Sequence, residues 1–246
     1  LSVQNFRNIL AQASTRVIIA LGVGGIIITQ GTDLSAGRQV GLAAVISASL
    51  LQAPAYAYRM YPDLPQLPIF VPILLAASIT GIFGLINGFV VSKLKVTPFI
   101  ATLGMMIIIY GVNSIYFDRP PYGAQPIGGL DPKFMMFAQR SINIGTFIIP
   151  YLVIYASIVI VLVWILWNKT KLGKNIYAIG GNPEAAAVSG VNIARNIMII
   201  YMIAGILYGF AGSLEAARVG SATNNTGNMY ELDAIAACVV GGVSFT

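Results

Sequence analysis

The chain contains no histidine, and Cys238 is its single cysteine. Without histidine there is no Ser-His-Asp triad, no imidazole metal site and no imidazole proton relay. One cysteine excludes an internal disulfide and any CxxC site. No GxxxxGK[ST] sequence occurs, so any ATP used must be hydrolysed by another chain. Charge is scarce as well: Asp, Glu, Lys and Arg make up 9% of 246 residues. Soluble domains carry about 25%, which excludes a secreted enzyme, a nucleic-acid-binding domain and a disordered tail.

What is present is apolar. Hydrophobic residues are 57%, glycines number 26, and mean hydropathy is +0.81. The solvent of such a chain is mostly lipid. The net charge of +6 then fits loops on the inner side of a bilayer better than a nucleic-acid partner. The sequence begins at Leu1 and stops at Gly241-Gly242-Val243-Ser244-Phe245-Thr246. Both ends read as cuts within a longer membrane protein, with residues 1–246 one transmembrane domain truncated at each end.

A helix needs about 20 apolar residues to cross the hydrocarbon. Ile69 to Val91, Pro98 to Phe117 and Phe147 to Trp167 meet this cleanly. Val17 to Thr29, Gly37 to Gln52, Asn196 to Gly212 and Leu232 to Val243 are shorter, and the first suffices only if Asn8 to Arg16 begin the helix. Continuous apolar runs lack the two-residue alternation of a membrane barrel. The expectation is therefore all-α, a polytopic transmembrane bundle of about seven segments. Gly84-x-x-x-Gly88 predicts close helix packing.

Lys93 and Lys95 sit in one short loop, and Lys169, Lys171, Lys174 and Arg195 in another two spans later. Both loops share a side, and their basic residues mark it as cytoplasmic. Residues 54–68 and the Pro/Gly-rich loop Asp118 to Gly145 then face outward. The cytoplasmic loop 168–195 holds Asn182-Pro183-Glu184-Ala185-Ala186-Ala187-Val188-Ser189-Gly190. Asn182 is a good N-cap, Pro183 suits N1, Glu184 favours the helix dipole, and Gly190 suits the left-handed C-cap. This predicts a two-turn helix with a small, flat face of Ala and Val. It either docks in a groove of a partner or rests on its own bundle, and the local physics does not choose.

That stretch resembles the coupling loop of bacterial ABC importer permeases of the ribose/galactose class. Gly31-Thr32-Asp33-Leu34-Ser35-Ala36-Gly37, Thr97-Pro98-Phe99-Ile100-Ala101-Thr102-Leu103-Gly104 and Tyr230-Glu231-Leu232-Asp233-Ala234-Ile235-Ala236-Ala237 are similar to that class too, in the same order. The likeness to its galactose-carrying members runs on through Arg38-Gln39-Val40-Gly41 and Gly220-Ser221-Ala222-Thr223-Asn224-Asn225. The resemblance implies a multi-pass inner-membrane permease subunit of an ATP-driven importer for a monosaccharide. It implies no enzymatic chemistry or cofactor of the chain's own. The implied partners are cytoplasmic ABC ATPase subunits, a periplasmic sugar-binding protein and a second permease copy, with no nucleic acid. Asn182, Pro183, Glu184, Ala185, Ala186, Ala187, Ser189 and Gly190 would be the ATPase-coupling residues.

Charge at membrane depth is costly and usually functional. Asp33 and Arg38 lie between the first two segments, and Glu215 and Arg218 after the sixth. The two surroundings look alike, which suits an inverted repeat along a transport path or a chance likeness of Gly/Ala-rich stretches. Asn87, Thr97, Thr102 and Asn113 bond helix to helix or line that path. Phe99, Tyr110 and Tyr230 would offer a sugar their ring faces, and Glu231 and Asp233 complete the candidate pathway set. The competing function is an ion- or proton-coupled sugar carrier, with Asp33 or Glu215 as coupling carboxylate.

Overall fold

The structure, a computed structural model, describes residues 3–119, 123–144 and 147–243. Gly145 and the terminal Ser244, Phe245 and Thr246 lie outside the described residues. Among the described residues, five helices are long and apolar enough to cross a membrane: α1 (Val3–Ile28), α3 (Phe70–Lys93), α4 (Pro98–Phe117), α6 (Tyr151–Lys169) and α9 (Ile193–Val219). Two short ones, α2 (Ala36–Leu50) and α10 (Tyr230–Val240), bring the apolar segments to the expected seven. Helix α5 (Pro132–Gln139), an antiparallel strand pair β1 (Ser141–Ile144) and β2 (Phe147–Pro150), and helices α7 (Lys171–Gly181) and α8 (Pro183–Val188) complete the order among the described residues.

Several boundaries differ from expectation. The polar stretch Asn8 to Arg16 does begin the first helix, because α1 starts at Val3. The span expected from Phe147 starts at Tyr151, since 147–150 pair as a strand with Ser141–Ile144. The segment expected to end at Gly212 continues to Val219 and stops where Gly220 takes a left-handed φ of 79°. Glu215 and Arg218 therefore belong to α9 and do not follow it. Asp33, by contrast, lies in the break after α1, so the look-alike stretches are not structurally equivalent.

The repeat shows in the architecture instead. α1 and α9 cross antiparallel: Thr15 meets Glu215, Gly22 faces Ala204 and Tyr208, and the Tyr201 hydroxyl reaches the Thr32 carbonyl. α2 runs along α9, with the Val40 carbonyl against Gly212 and Ser47 Oγ 2.6 Å from Ser213 Oγ. α10 runs along α1, with Asp233 at Arg16 and Cys238 at Ala20. A long helix, a break and a short helix thus occur twice in opposite directions, the layout of an inverted repeat.

α9 is the hub, and Tyr201, Ala204, Tyr208, Ala211 and Leu214 pack with Ile19, Val23 and Ile26 of α1 in one core. Its contact with α3 is held close by glycine on both helices. A Cβ on Gly84 would collide with the Tyr201 carbonyl, and one on Gly205 with the Thr80 carbonyl. Lipid gives helices no hydrophobic drive to associate, so this backbone approach carries the contact.

Candidate functional site

Three polar clusters form where the candidate pathway residues lie. The first is the break after α1. Asp33 Oδ1 accepts from Ser35 N at 2.9 Å and from Ser35 Oγ at 2.6 Å. Ser35 Oγ in turn accepts from Gln39 Nε2 and Asn87 Nδ2, both at 2.9 Å. Thr102 Oγ1 accepts from Leu34 N at 3.1 Å. Asp33, Ser35, Gln39, Asn87 and Thr102 are all fully buried. Asp33 and Thr102 of α4 thus satisfy the Ser35 and Leu34 amides in the break, and Gln39 of α2 and Asn87 of α3 hold the Ser35 hydroxyl. The cluster is a packed clamp in this conformation, and Asp33 has the capping role that its position in the break suggests.

The second cluster joins α1, α9 and α10. Glu215 accepts from Arg218 at 2.7 and 3.0 Å, from Tyr230 Oη at 2.9 Å and from Thr15 Oγ1 at 3.1 Å. Arg16 lies 3.1 Å above the Tyr230 ring, bonds Asp233 at 3.2 Å and comes within 3.9 Å of Glu215. Both of Glu215's oxygens are committed, so this buried carboxylate is neutralised by fixed cations rather than held ready for a coupling ion.

The third gathers at the surface of α2, α4 and the stretch 220–229. Arg38 sits 4.4 Å over the Tyr110 ring and bonds Asn228 Oδ1 at 2.7 Å. Asn113 and Glu231 lie against Gly41 and Gly37 of the same helix. Thr97 and Phe99 join none of these clusters; both are exposed at the N-terminal end of α4.

The loop 168–195 has more structure than the sequence suggests. Its first half is α7, which begins where Thr170 Oγ1 caps Gly173 N at 3.3 Å. The Gly180 carbonyl accepts from Gln30 Nε2 at 2.8 Å, and Asn175 bonds Asn196, so α7 is fastened beneath α1 and α9. On this platform stands α8. Asn182 Oδ1 caps Ala185 N at 2.9 Å, Pro183 and Glu184 occupy the first turn, and Gly190 has φ 83°. Ala186, expected on the partner face, packs against its own chain at 4% exposure. Asn182, Pro183, Glu184, Ala185, Ala187, Ser189 and Gly190 are exposed. Val188, absent from the expected coupling set, is 91% exposed and stands out as the apolar tip. The signal for it was available: Ala186 and Val188 lie two positions apart, about 200° around a helix, so burial of one exposes the other.

Sequence comparison gives this geometry a setting. Residues 5–245 match the family described as branched-chain amino acid transport system / permease component. The galactose/methyl galactoside import permease protein MglC of Haemophilus influenzae is 62% identical over 245 residues, spanning 100% of this chain and 72% of that protein. The Escherichia coli K12 protein of the same name is 58% identical over 246 residues, spanning 100% and 73%. The ribose import permease protein RbsC of Haemophilus influenzae is 37% identical over 244 residues, spanning 99% and 70%. No solved structure matches the chain.

Proposed function

The chain belongs to the family of branched-chain amino acid transport system / permease components, and we propose on that footing that it moves a monosaccharide, galactose or methyl galactoside, across the bacterial inner membrane. It is a multi-pass permease subunit of an ABC importer. The family description mentions amino acids, whereas the relatives at 58–62% identity are galactose permeases. Identity that high along the whole chain is the observation that carries the sugar reading. No relative supports the ion-coupled carrier, and the committed bonds around Glu215 argue against a mobile coupling ion there.

In this reading a periplasmic sugar-binding protein delivers substrate to the outer mouth, and separate ATPase subunits grip α8. The permease works as two copies. Nucleotide-driven closure of the ATPases pushes on α8. α7, bonded to Gln30 and Asn196, passes that displacement to the inner ends of α1 and α9. The two helix breaks, and with them the pathway, then change their exposure from the outer to the inner side. The pathway draws on Asp33, Asn87, Thr102, Tyr110, Asn113, Glu215, Tyr230, Glu231 and Asp233, with Thr97 and Phe99 at its inner end.

The test is reconstitution of the full-length permease with its ATPase and binding protein in proteoliposomes. Galactose uptake should need ATP on the ATPase side and no ion gradient, and loaded binding protein should raise ATP hydrolysis. Uptake driven by a proton or sodium gradient alone, or uptake of branched-chain amino acids in place of sugar, would overturn the reading.

A further inference from the structure

The stretch between α9 and α10 leaves the outer surface and enters the bundle. Its start is tied to an outer loop, where Ile127 and Ala222 exchange backbone hydrogen bonds at 2.9 and 3.0 Å. Farther along, the carbonyls of Thr226 and Gly227 press on Gly41 and Gly37, where any Cβ would collide with them. Gly41 lies nine residues before Leu50 at the outer end of α2, a drop of about 13 Å along the helix. Non-helical backbone at that depth persists only when buried in protein or facing water. Interrupted segments near the bilayer midplane are also where transporters hold substrate.

On the open side of this stretch the polar groups have a distinctive chemistry. Arg38 donates to Asn228 Oδ1 at 2.7 Å and to Asn225 Oδ1 at 3.5 Å, and it stacks on Tyr110, a residue 41% exposed. Among the described residues no carboxylate comes within ion-pair distance of Arg38. Neutral amides and a ring hold the cation, and a guanidinium has five N–H donors to distribute. The side-chain nitrogens of Asn225 and Asn228, both exposed, donate to no group among the described residues. Lipid can satisfy none of these donors. Planar donors beside an aromatic face suit a polyhydroxylated ring, with hydroxyl oxygens on the donors and C–H groups on the tyrosine.

We propose that Arg38, Asn225, Asn228 and Tyr110 form a mid-membrane station that a monosaccharide hydrogen-bonds in transit. The inference rests on the sugar-importer reading above and adds to it residues of the substrate contact, three of them outside the sequence-derived set. Its test uses the full-length permease with ATPase and binding protein in proteoliposomes. Wild-type uptake comes first: failure to move any sugar strikes the importer reading itself.

Given uptake, Asn228→Cys in a Cys238→Ser background should react with a membrane-impermeant thiol reagent added on the binding-protein side. Asn228→Ala and Arg38→Lys should each slow galactose uptake about tenfold, the scale of one lost hydrogen bond to substrate, and Tyr110→Ala by a similar factor through loss of the ring face, with normal amounts of assembled complex. They should also change the preference for galactose over its deoxy analogues, which a purely structural defect would leave alone. Tyr110→Phe, which keeps the ring, should transport normally, and with Asn228→Ser it serves if the larger changes prevent assembly. An inert thiol at position 228, or variants that slow every sugar equally, would overturn the proposal. So would a selective effect on a sugar acid with galactose untouched, which would make the patch an anion site.

Discussion

At the scale of single residues, burial separates side chains that their neighbours in sequence make look alike. Ala186 and Val188 sit on the same short helix, yet one is 4% and the other 91% exposed. Val188→Asp should therefore leave the permease at normal level in the membrane while ATPase subunits no longer co-purify. Ala186→Trp should instead lower the amount of folded permease, since overpacking a closed contact costs about 1–3 kcal/mol. Quantifying permease and retained ATPase in the same membranes separates the two outcomes, and equal ATPase retention by Val188→Asp and wild type would remove Val188 from the docking face. Glu184→Lys, at the positive end of α8, should weaken the helix by about 0.3–1 kcal/mol and reduce coupling without loss of membrane insertion. Asp33 works inward, through its bonds to the backbone and hydroxyl of Ser35. Asp33→Asn keeps an acceptor and should assemble nearly normally. Asp33→Ala leaves the Ser35 amide buried without a partner, a loss of about 1–3 kcal/mol, and should lower the complex's melting temperature. A transport-dead Asp33→Asn of normal stability would show that the charge itself matters.

At the scale of elements, what the sequence revealed followed the strength of local signals. The α8 cap was readable because Asn182, Pro183 and Gly190 each fill a position with its own steric or bonding requirement. α4 was readable from Pro98 and 20 apolar residues. α1 was harder, because Arg7, Asn8, Gln12 and Arg16 interrupt the apolar pattern, and Arg16 meets Asp233 of α10 only after folding. α9 looked short because Glu215 and Arg218 read as a polar exit. They pair one turn apart inside the helix, and the long-range partners that also hold Glu215 (Thr15, Arg16 and Tyr230) are invisible in the residue order. The strand pair 141–144 and 147–150 and α5 had weak signals in a stretch read mainly for its Pro and Gly content. Glycine spacing, by contrast, transferred directly into packing. Gly81, Gly84 and Gly88 on α3 meet α9 backbone or side chains, while Gly104 and Gly111 on α4 have open space at the Cβ position. Gly84→Leu should block α3–α9 association and deplete folded protein. Gly111→Ala should be neutral or slightly stabilising, because alanine raises helix propensity where nothing opposes it. Detergent-extracted yield and thermal aggregation of the two variants decide between this packing account and a general intolerance of glycine replacement.

At the scale of the whole molecule, the two ends of the bundle differ in what they must do, and the structure is correspondingly two-sided. One end carries α7 and α8 with Lys169, Lys171, Lys174 and Arg195 around them, and Lys93 and Lys95 in the neighbouring turn. The other carries α5, the strand pair and a loop surface in which the Leu51 carbonyl holds the Asp131 amide at 2.7 Å and Gln52 bonds the Gly128 carbonyl at 2.9 Å. Every long helix connects these ends, so one error in orientation would invert the assignment of docking faces for ATPase and binding protein together. Lysine and arginine density predicts that the basic end faces inward. Lys171→Cys and Ala124→Cys, each in a Cys238→Ser background, test this directly. Ala124 is preferable to its neighbour Gly123, whose φ of 64° would strain any side chain. In right-side-out vesicles an impermeant maleimide should label the thiol introduced at position 124 at once, and the one at position 171 only after the membrane is opened. Inverted vesicles should reverse the order. Cys238 lies buried, with its thiol donating to the Ala20 carbonyl at 3.1 Å, so its removal should cost little more than that weak bond. Labelling of both introduced cysteines from one side would contradict the span count between them. Labelling from opposite sides in the reverse sense would keep the fold but move the ATPase to the strand-pair end, and α8 would lose its proposed role.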